Sequence, residues 1–216
     1  MADDATSTLY VDLDGTLIHT DLLYEAVLLA CRRRLSVLFW LPLWLVRGKA
    51  ALKEELAQRV TPRAELLPYR RDVLEFLGRQ RRAGRRVVLV TASPRRWAAA
   101  VAEHVDLFDD VMATEEGRNL KGAEKLAAIR EHAEGATTFD YVGDAPADLS
   151  VWAQSGHVYA VAPGGSLEQR VRKLGKPVTT FGERPSRIAA LIKVVRPRQW
   201  TKNLLLFLAA FLAHRL

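Results

Sequence analysis

Apolar residues along this chain fall into short continuous runs separated by amphipathic stretches. The runs near 8–13, 86–91, 110–114, 138–143 and 158–162 read as buried β-strands. Between them, 94–104 and 122–134 are alanine-rich, with apolar positions three or four apart, the spacing of one helix face. A further helix is expected from Pro146 through Trp152, stopped by Gly156, and residues 163–166 (PGGS) read as a loop. Strand and helix in alternation predict an α/β fold with a parallel, three-layer, Rossmann-like sheet.

The first interval breaks this rhythm. Residues 21–84 are too long for one crossover and read as three or four helices inserted after the first strand, a small helical cap between core segments 1–20 and 85–183. Inside it, Leu35–Val46 (LSVLFWLPLWLV) lies between Arg32–Arg34 and the pair Arg47 and Lys49. Such a run is too short to span a bilayer, so it suits a membrane-interfacial segment or a buried core helix. Trp40, Trp44, Pro42 and the basic ends favour membrane contact through 35–47. After Pro185 a second basic-to-apolar change occurs, with Arg196–Asn203 preceding Leu204–Ala213. This apolar part is about half a membrane span, and it is expected to be a membrane-associated helix with a cytoplasmic start, or an anchor lying in the interface.

Composition narrows the classes. The chain has 216 residues, enough for one domain and an appendage. Its single cysteine, Cys31, excludes an intrachain disulfide framework and fits a reducing compartment. Residues 1–8 are polar and acidic, unlike a secretory leader. The net charge of +7 is arginine-heavy, but no nucleic-acid motif accompanies it, and an anionic lipid surface explains the basic clusters better.

Candidate chemistry sits at the strand ends. Residues 9–16 read LYVDLDGT, so Asp12 and Asp14 start on one side of a strand before Gly15 allows a turn. Two close carboxylates need a bound cation, a shared proton, or both. A strand's C-terminal end is also where open α/β sheets bind ligands, which suits attack on a phosphate. The run 86–93 (RVVLVTAS) places Thr91 and Ser93 before the helix opened by Pro94, where hydroxyls and N–H groups could meet a phosphate. Lys121 precedes the next helix, and 139–148 (FDYVGDAPAD) carries Asp144 and Asp148 after a glycine turn. Asp21 and Glu25, one helical turn apart, could contact substrate or cap the first cap helix.

The order DLDGT, Thr91, Lys121 and GDxxxD resembles the haloacid dehalogenase (HAD) superfamily of phosphohydrolases over residues 8 to about 165. By that resemblance Asp12 is the nucleophile and forms an aspartyl-phosphate, and Asp14 is the general acid and base. Thr91 and Lys121 hold the phosphoryl oxygens. The Asp12 carboxylate, the Asp14 carbonyl and Asp144 hold Mg²⁺, with Asp148 a ligand or its support. Separately, residues 192–216, with RPRQWTKNLLLF, resemble the opening of UbiA-type polyprenyl (phosphoribosyl) transferases, though without their aspartate-rich motifs. Together the resemblances imply a phosphatase acting on a lipid-linked, polyprenyl-phosphoribose-type phosphate at the cytoplasmic membrane face, fused to or associated with such a transferase. Two alternatives stand beside it: a soluble broad-specificity sugar-phosphate phosphatase, and a non-catalytic docking or regulatory domain of the transferase.

Overall fold

The computed structural model describes residues 7–115, 119–133 and 138–182. Six parallel strands form one sheet: β1 (Thr8–Val11), β2 (Val87–Pro94), β3 (Asp110–Thr114), β4 (Phe139–Gly143), β5 (Val158–Val161) and β6 (Val178–Phe181). Their order across the sheet is β3-β2-β1-β4-β5-β6. The expected α/β architecture is therefore present, with one strand more than the apolar runs suggested. β6 was missed because its sequence, VTTF, is a short and half-exposed edge strand.

Alternation along the strands separates two cores. Leu9, Val11, Val87, Leu89, Val142 and Val161 face one side, while Tyr10, Val88, Val90, Tyr141, Val158 and Ala160 face the other. Eight α-helices and two single-turn 3-10 helices, Ala64–Leu66 and Pro146–Asp148, complete the described chain. Three of them, α1 (Leu22–Arg33), α2 (Val37–Val46) and α3 (Lys49–Arg59), follow β1. Next comes α4 (Arg71–Arg82), then α5 (Arg95–Val105) after β2, and α6 (Ala123–His132) after β3. Last are α7 (Leu149–Trp152) and α8 (Gly165–Arg172), after β4 and β5. Helices α4 and α5 cover the first core; α6, α7 and α8 cover the second.

The inserted cap is shorter than 21–84. α4 buries Val73, Phe76 and Leu77, and its Phe76 ring lies 4.7 Å from Tyr159 and 5.0 Å from Phe181. It is thus a crossover helix packed on the sheet, and the cap proper comprises α1 to α3. The amphipathic pattern of α4 looks the same whether its apolar face meets a cap or a sheet, so the pattern could not place the boundary.

Within the cap, α2 is unusual. Val37 and Trp44 are buried and Leu41 half-buried, a single stripe at helical spacing. Trp44 is covered by the Arg59 guanidinium, 4.7 Å above its ring. The rest of the helix faces solvent, with Phe39 at 85% and Val46 at 87% exposure. Each such side chain left in water forgoes about 1.5–3 kcal/mol that burial would contribute. α2 is therefore not a core helix. No helix among the described residues is long and apolar enough to cross a membrane. The expected C-terminal membrane helix and the UbiA-like stretch fall on 184–216, outside the described residues.

A buried ion pair fastens the start of the sheet. Arg85, just before β2, is paired with Asp140 on β4, and both side chains are almost wholly buried. Arg85 Nε also donates to the Ser7 carbonyl at 2.7 Å, and Nη1 donates to Gln80 Oε1 at 3.0 Å. The Asp140 carboxylate accepts the His157 N–H at 2.6 Å. Arg85→Met would leave Asp140 buried without its cation, and urea melts should show a loss of about 3–5 kcal/mol.

Candidate active site

The site is built where β1 and β4 end side by side. Val11 is paired with Val142, and the Asp12 N–H donates to the Val142 carbonyl at 3.0 Å. Asp12 therefore emerges beside Gly143 and Asp144. The chain then turns within one loop: the Leu17 and Ile18 N–H groups both donate to the Leu13 carbonyl, and the Gly15 N–H donates to Thr20. Gly15 has φ +80°, and a Cβ there would collide with the Asp144 carboxylate. The glycine of DLDGT thus allows Asp144 to approach this loop.

Asp12 and Asp14 have different surroundings. Asp14 Oδ1 accepts the Leu22 N–H at 2.8 Å, and Oδ2 accepts the Ser93 hydroxyl at 2.6 Å. Asp12 is buried, and its Oδ1 lies 2.9 Å from Lys125 Nζ. Lys125 Nζ also donates to the Tyr141 hydroxyl at 2.9 Å and lies 3.7 Å from Asp148. The Tyr141 hydroxyl donates to Asp148 Oδ1 at 2.8 Å. Asp148 Oδ2 accepts the N–H groups of Asp144 and Ala145, at 3.2 and 3.0 Å. Both oxygens of Asp148 are therefore engaged in holding the loop that carries Asp144.

Asp12, Asp144 and Asp148 offer carboxylate oxygens within 4.8 Å of one another. This all-oxygen donor set, without histidine or cysteine, fits Mg²⁺. The electrostatics show the same need for a cation. Burial pushes Asp12 up to about 7, with Lys125 opposing and Asp148 and Asp14 adding to the rise. Burial and then Asp148 push Asp144 up to about 6. Burial pulls the Lys125 ammonium down, but Asp12 and Asp148 outweigh it and its pKa is raised. The 2.9 Å contact between Asp12 and Lys125 is that of an ion pair, and a divalent cation would hold Asp12 ionised.

A stability prediction follows from these signs. A carboxyl whose folded pKa is raised contributes stability below its ordinary range and loses it as pH rises through the folded value. For Asp12 and Asp144 that loss runs up to about pH 7. Asp21, also raised by burial and by Asp14, adds to it. His19, lowered by burial and by Arg70, acts in the opposite sense as one exposed group. Thermal melts in EDTA should therefore fall between about pH 4 and pH 7, and Mg²⁺ at the upper pH should restore the loss.

The structure redistributes several expected roles. Lys121 is exposed on the rim, while Lys125, one helical turn further, is the buried lysine on Asp12. Both lysines line the cavity, and it is Lys125 that the fold sets against Asp12. The two are four residues apart, so strand-to-helix order alone did not separate them: Lys121 lies in the turn before α6, and Lys125 is on the buried face of that helix. Lys121→Ala should change turnover by less than about tenfold in a phosphate-release assay, because an exposed charge is screened.

Thr91 and Ser93 are buried, and the Ser93 N–H donates to Thr91 Oγ1 at 3.0 Å. β2 continues to Pro94 through a register shift against β3 after Val90, and Ala92 and Pro94 line the cavity instead. Ser93 serves Asp14, and Thr91 supports Ser93. Asp21 caps α1 by accepting the Leu23 N–H at 2.8 Å and also lines the cavity. Glu25, in the first turn of α1, is not among the lining residues.

Lys53 was not anticipated. It reaches down from α3, with Nζ 3.2 Å from Ser93 Oγ and 3.5 Å from Asp14 Oδ2. No motif marks it, since only the cap's fold brings it over the strand ends. The cavity between cap and core measures about 870 Å³ and has Asp12, Asp14, Asp144, Lys125 and Lys53 in its wall. An acidic cluster, two buried or half-buried lysines and a covering cap form a site suited to displacement at an anionic centre.

Comparison with known proteins agrees. A family model for haloacid dehalogenase-like hydrolases matches residues 9–152. An uncharacterized protein, y4nM, of Sinorhizobium fredii (strain NBRC 101917 / NGR234) is 35% identical over 212 residues, 97% of this chain. The chain spans 40% of that relative's length. Among solved structures, an apo phosphoserine phosphatase is similar at 16% identity with a TM-score of 0.57, covering 88% of this chain and 98% of its own. A protein of unknown function from Bordetella pertussis Tohama I has a TM-score of 0.59 at 20% identity, covering 80% and 97%. A predicted phosphoglycolate phosphatase from Haemophilus somnus 129pt has 0.55 at 16%, covering 88% and 98%. These structures share the fold, and the family match runs from β1 through α7 and includes Asp12, Lys125 and Asp144: the chain belongs to the haloacid dehalogenase-like hydrolase family.

Proposed function

We propose that this chain is a Mg²⁺-dependent phosphomonoester hydrolase that works through an aspartyl-phosphate on Asp12. The observation that carries the reading is the buried Asp12–Lys125 pair at the mouth of a capped cavity, with Asp144 and Asp148 beside it. In the first step an Asp12 oxygen attacks phosphorus, the ester P–O bond breaks, and Asp14 passes its proton to the leaving oxygen. In the second, Asp14 takes a proton from water as that water attacks phosphorus, releasing phosphate and freeing Asp12. Lys125 holds the phosphoryl oxygens and offsets their charge, and Asp148 keeps Asp144 in place. A Mg²⁺ held by Asp12, Asp144 and the Asp14 carbonyl would supply the remaining positive charge. The cap excludes water, and Lys53 steadies Asp14 from above.

The substrate reading is finer. We place a lipid-linked phosphate, of the polyprenyl-phosphoribose type, in this cavity, with the domain at the cytoplasmic membrane face. The exposed apolar helix α2, adjoining cavity-lining α3, supports it. So does the UbiA-like tail, and the match to y4nM, at 212 of 216 residues, carries most of that tail into a longer protein. A second reading, a soluble phosphatase of small phosphomonoesters, is favoured by the shared fold of the phosphoserine and phosphoglycolate phosphatases. Phosphate release from polyprenyl-linked and soluble phosphates, both in detergent with Mg²⁺, separates them. Preference for the lipid substrate supports the first; turnover of sugar phosphates with the lipid left intact would replace it with the second. A domain with no turnover on either would be the docking or regulatory module instead.

A further inference from the structure

The ten residues of α2 include no polar side chain, yet only Val37 and Trp44 are buried. Leu38, Phe39, Trp40, Leu43, Leu45 and Val46 all face solvent. At 1.5 Å per residue, such a helix is about 15 Å long, roughly half of a bilayer's apolar thickness, so it can lie in an interface but not cross it. Charge frames the surface. From Ala26 through Lys53 there are six basic residues and no acidic one. Arg32, Arg33 and Arg34 are exposed before α2, and Arg47 and Lys49 are exposed after it.

These charges select the occupant. A second copy packed face to face would bring the same arginine clusters together; Arg47 meets Glu55 at 3.5 Å, but the stretch from Ala26 through Lys53 holds no acid for Arg32, Arg33 and Arg34 of the other copy. The chain's own residues 183–216 carry seven lysines and arginines against one acid, so they match the surface no better. An anionic phospholipid layer supplies both an apolar interior for the aromatic and aliphatic side chains and negative headgroups for the arginines. Tryptophan is also the side chain that favours the headgroup level.

We propose that the outer face of α2 is an interfacial anchor that seats the cap on an anionic phospholipid bilayer. α2 joins directly to α3, which carries Lys53 and lines the cavity, so the anchor sets that wall of the site at the lipid surface. The proposal deepens the lipid-linked reading of the site and rests on it for its purpose, while membrane binding itself is measured without turnover.

The test is co-sedimentation of the full chain with phosphatidylcholine vesicles and with vesicles containing added phosphatidylglycerol. Wild type should partition onto the anionic vesicles more strongly than the neutral ones, and less as salt is raised. The Phe39→Glu/Trp40→Glu variant should lose that partition by about tenfold or more. Both substituted positions face solvent, so circular dichroism and hydrolysis of a soluble phosphomonoester should match wild type. Phe39→Ser/Trp40→Ser repeats the test without added charge and should also bind less. Binding of both variants like wild type would overturn the proposal and assign membrane contact to the tail. Equal weakness of wild type on both vesicle types would overturn it as well, as would a wild-type dimer dissociated by these substitutions. Failure of soluble-ester hydrolysis by every form would count against the phosphatase reading, not against docking.

Discussion

Asp12→Asn should leave a folded protein that releases no phosphate, with turnover reduced by about 10⁴-fold or more. The amide keeps the shape of the side chain but removes the attacking oxygen's charge, and no neighbouring group can replace it. Asp14 is committed to Leu22, Ser93 and Lys53, and both oxygens of Asp148 are already accepting protein hydrogen bonds. Asp144 lies in the same cluster but receives the Thr16 hydroxyl and belongs to the cation-binding set. Steady-state phosphate release, with circular dichroism to verify folding, measures the loss. A variant within tenfold of wild type would place the nucleophile elsewhere.

Lys125→Met should have the next largest effect, lowering kcat/KM by about 10²–10³. The lysine is the buried cation between Asp12 and Asp148, and its removal leaves two carboxylates facing each other. The structural cost should therefore depend on metal. In EDTA the variant should unfold more readily than wild type, by about 3–5 kcal/mol if Asp148 keeps its charge without a partner. Saturating Mg²⁺ should narrow that gap, because the cation offsets Asp12. Lys125→Arg should recover part of the stability and little of the rate, since the planar guanidinium cannot fill the space of an ammonium between Asp12 and Tyr141. Urea midpoints with and without Mg²⁺, read beside kcat/KM, distinguish a catalytic lysine from a purely structural one. Equal losses of stability in both conditions with unchanged kcat/KM would make Lys125 only a core ion pair.

The strand ends were the legible part of this chain. A buried strand in a parallel sheet is a continuous apolar run, so DLDGT and GDAPAD could be placed at strand ends from the sequence, and the resemblance to the haloacid dehalogenase superfamily implied that they meet. The Asp12 and Asp144 loops meet because Val11 and Val142 are partners. What lay beyond the sequence were choices made by side-chain direction and by tertiary packing. Lys121 lies in the turn before α6 and is exposed, whereas Lys125 is on the buried face of the helix. Thr91 and Ser93 were expected in the cavity because they precede the helix after β2; the strand shifts register against β3 beyond Val90, and both hydroxyls are buried. α4 has a cap-like pattern but belongs to the sheet, through Phe76 on Tyr159 and Phe181. Lys53 joins the site through the cap's fold, across 40 positions of sequence from Ser93. α2 shows the converse case, since its composition suits a core and its packing exposes it.

Hydrolysis by this route passes through a covalent step at one carboxylate, and that step can be caught. The protein is mixed with a phosphomonoester and Mg²⁺, quenched in acid within the first turnovers, digested, and the phosphoryl group located by mass spectrometry. The account predicts a phosphorylated peptide carrying Asp12, cleaved by hydroxylamine as an acyl phosphate is, and absent from Asp12→Asn. A phosphoryl group on a serine, threonine or histidine, or phosphate release by Asp12→Asn at the wild-type rate, would contradict it.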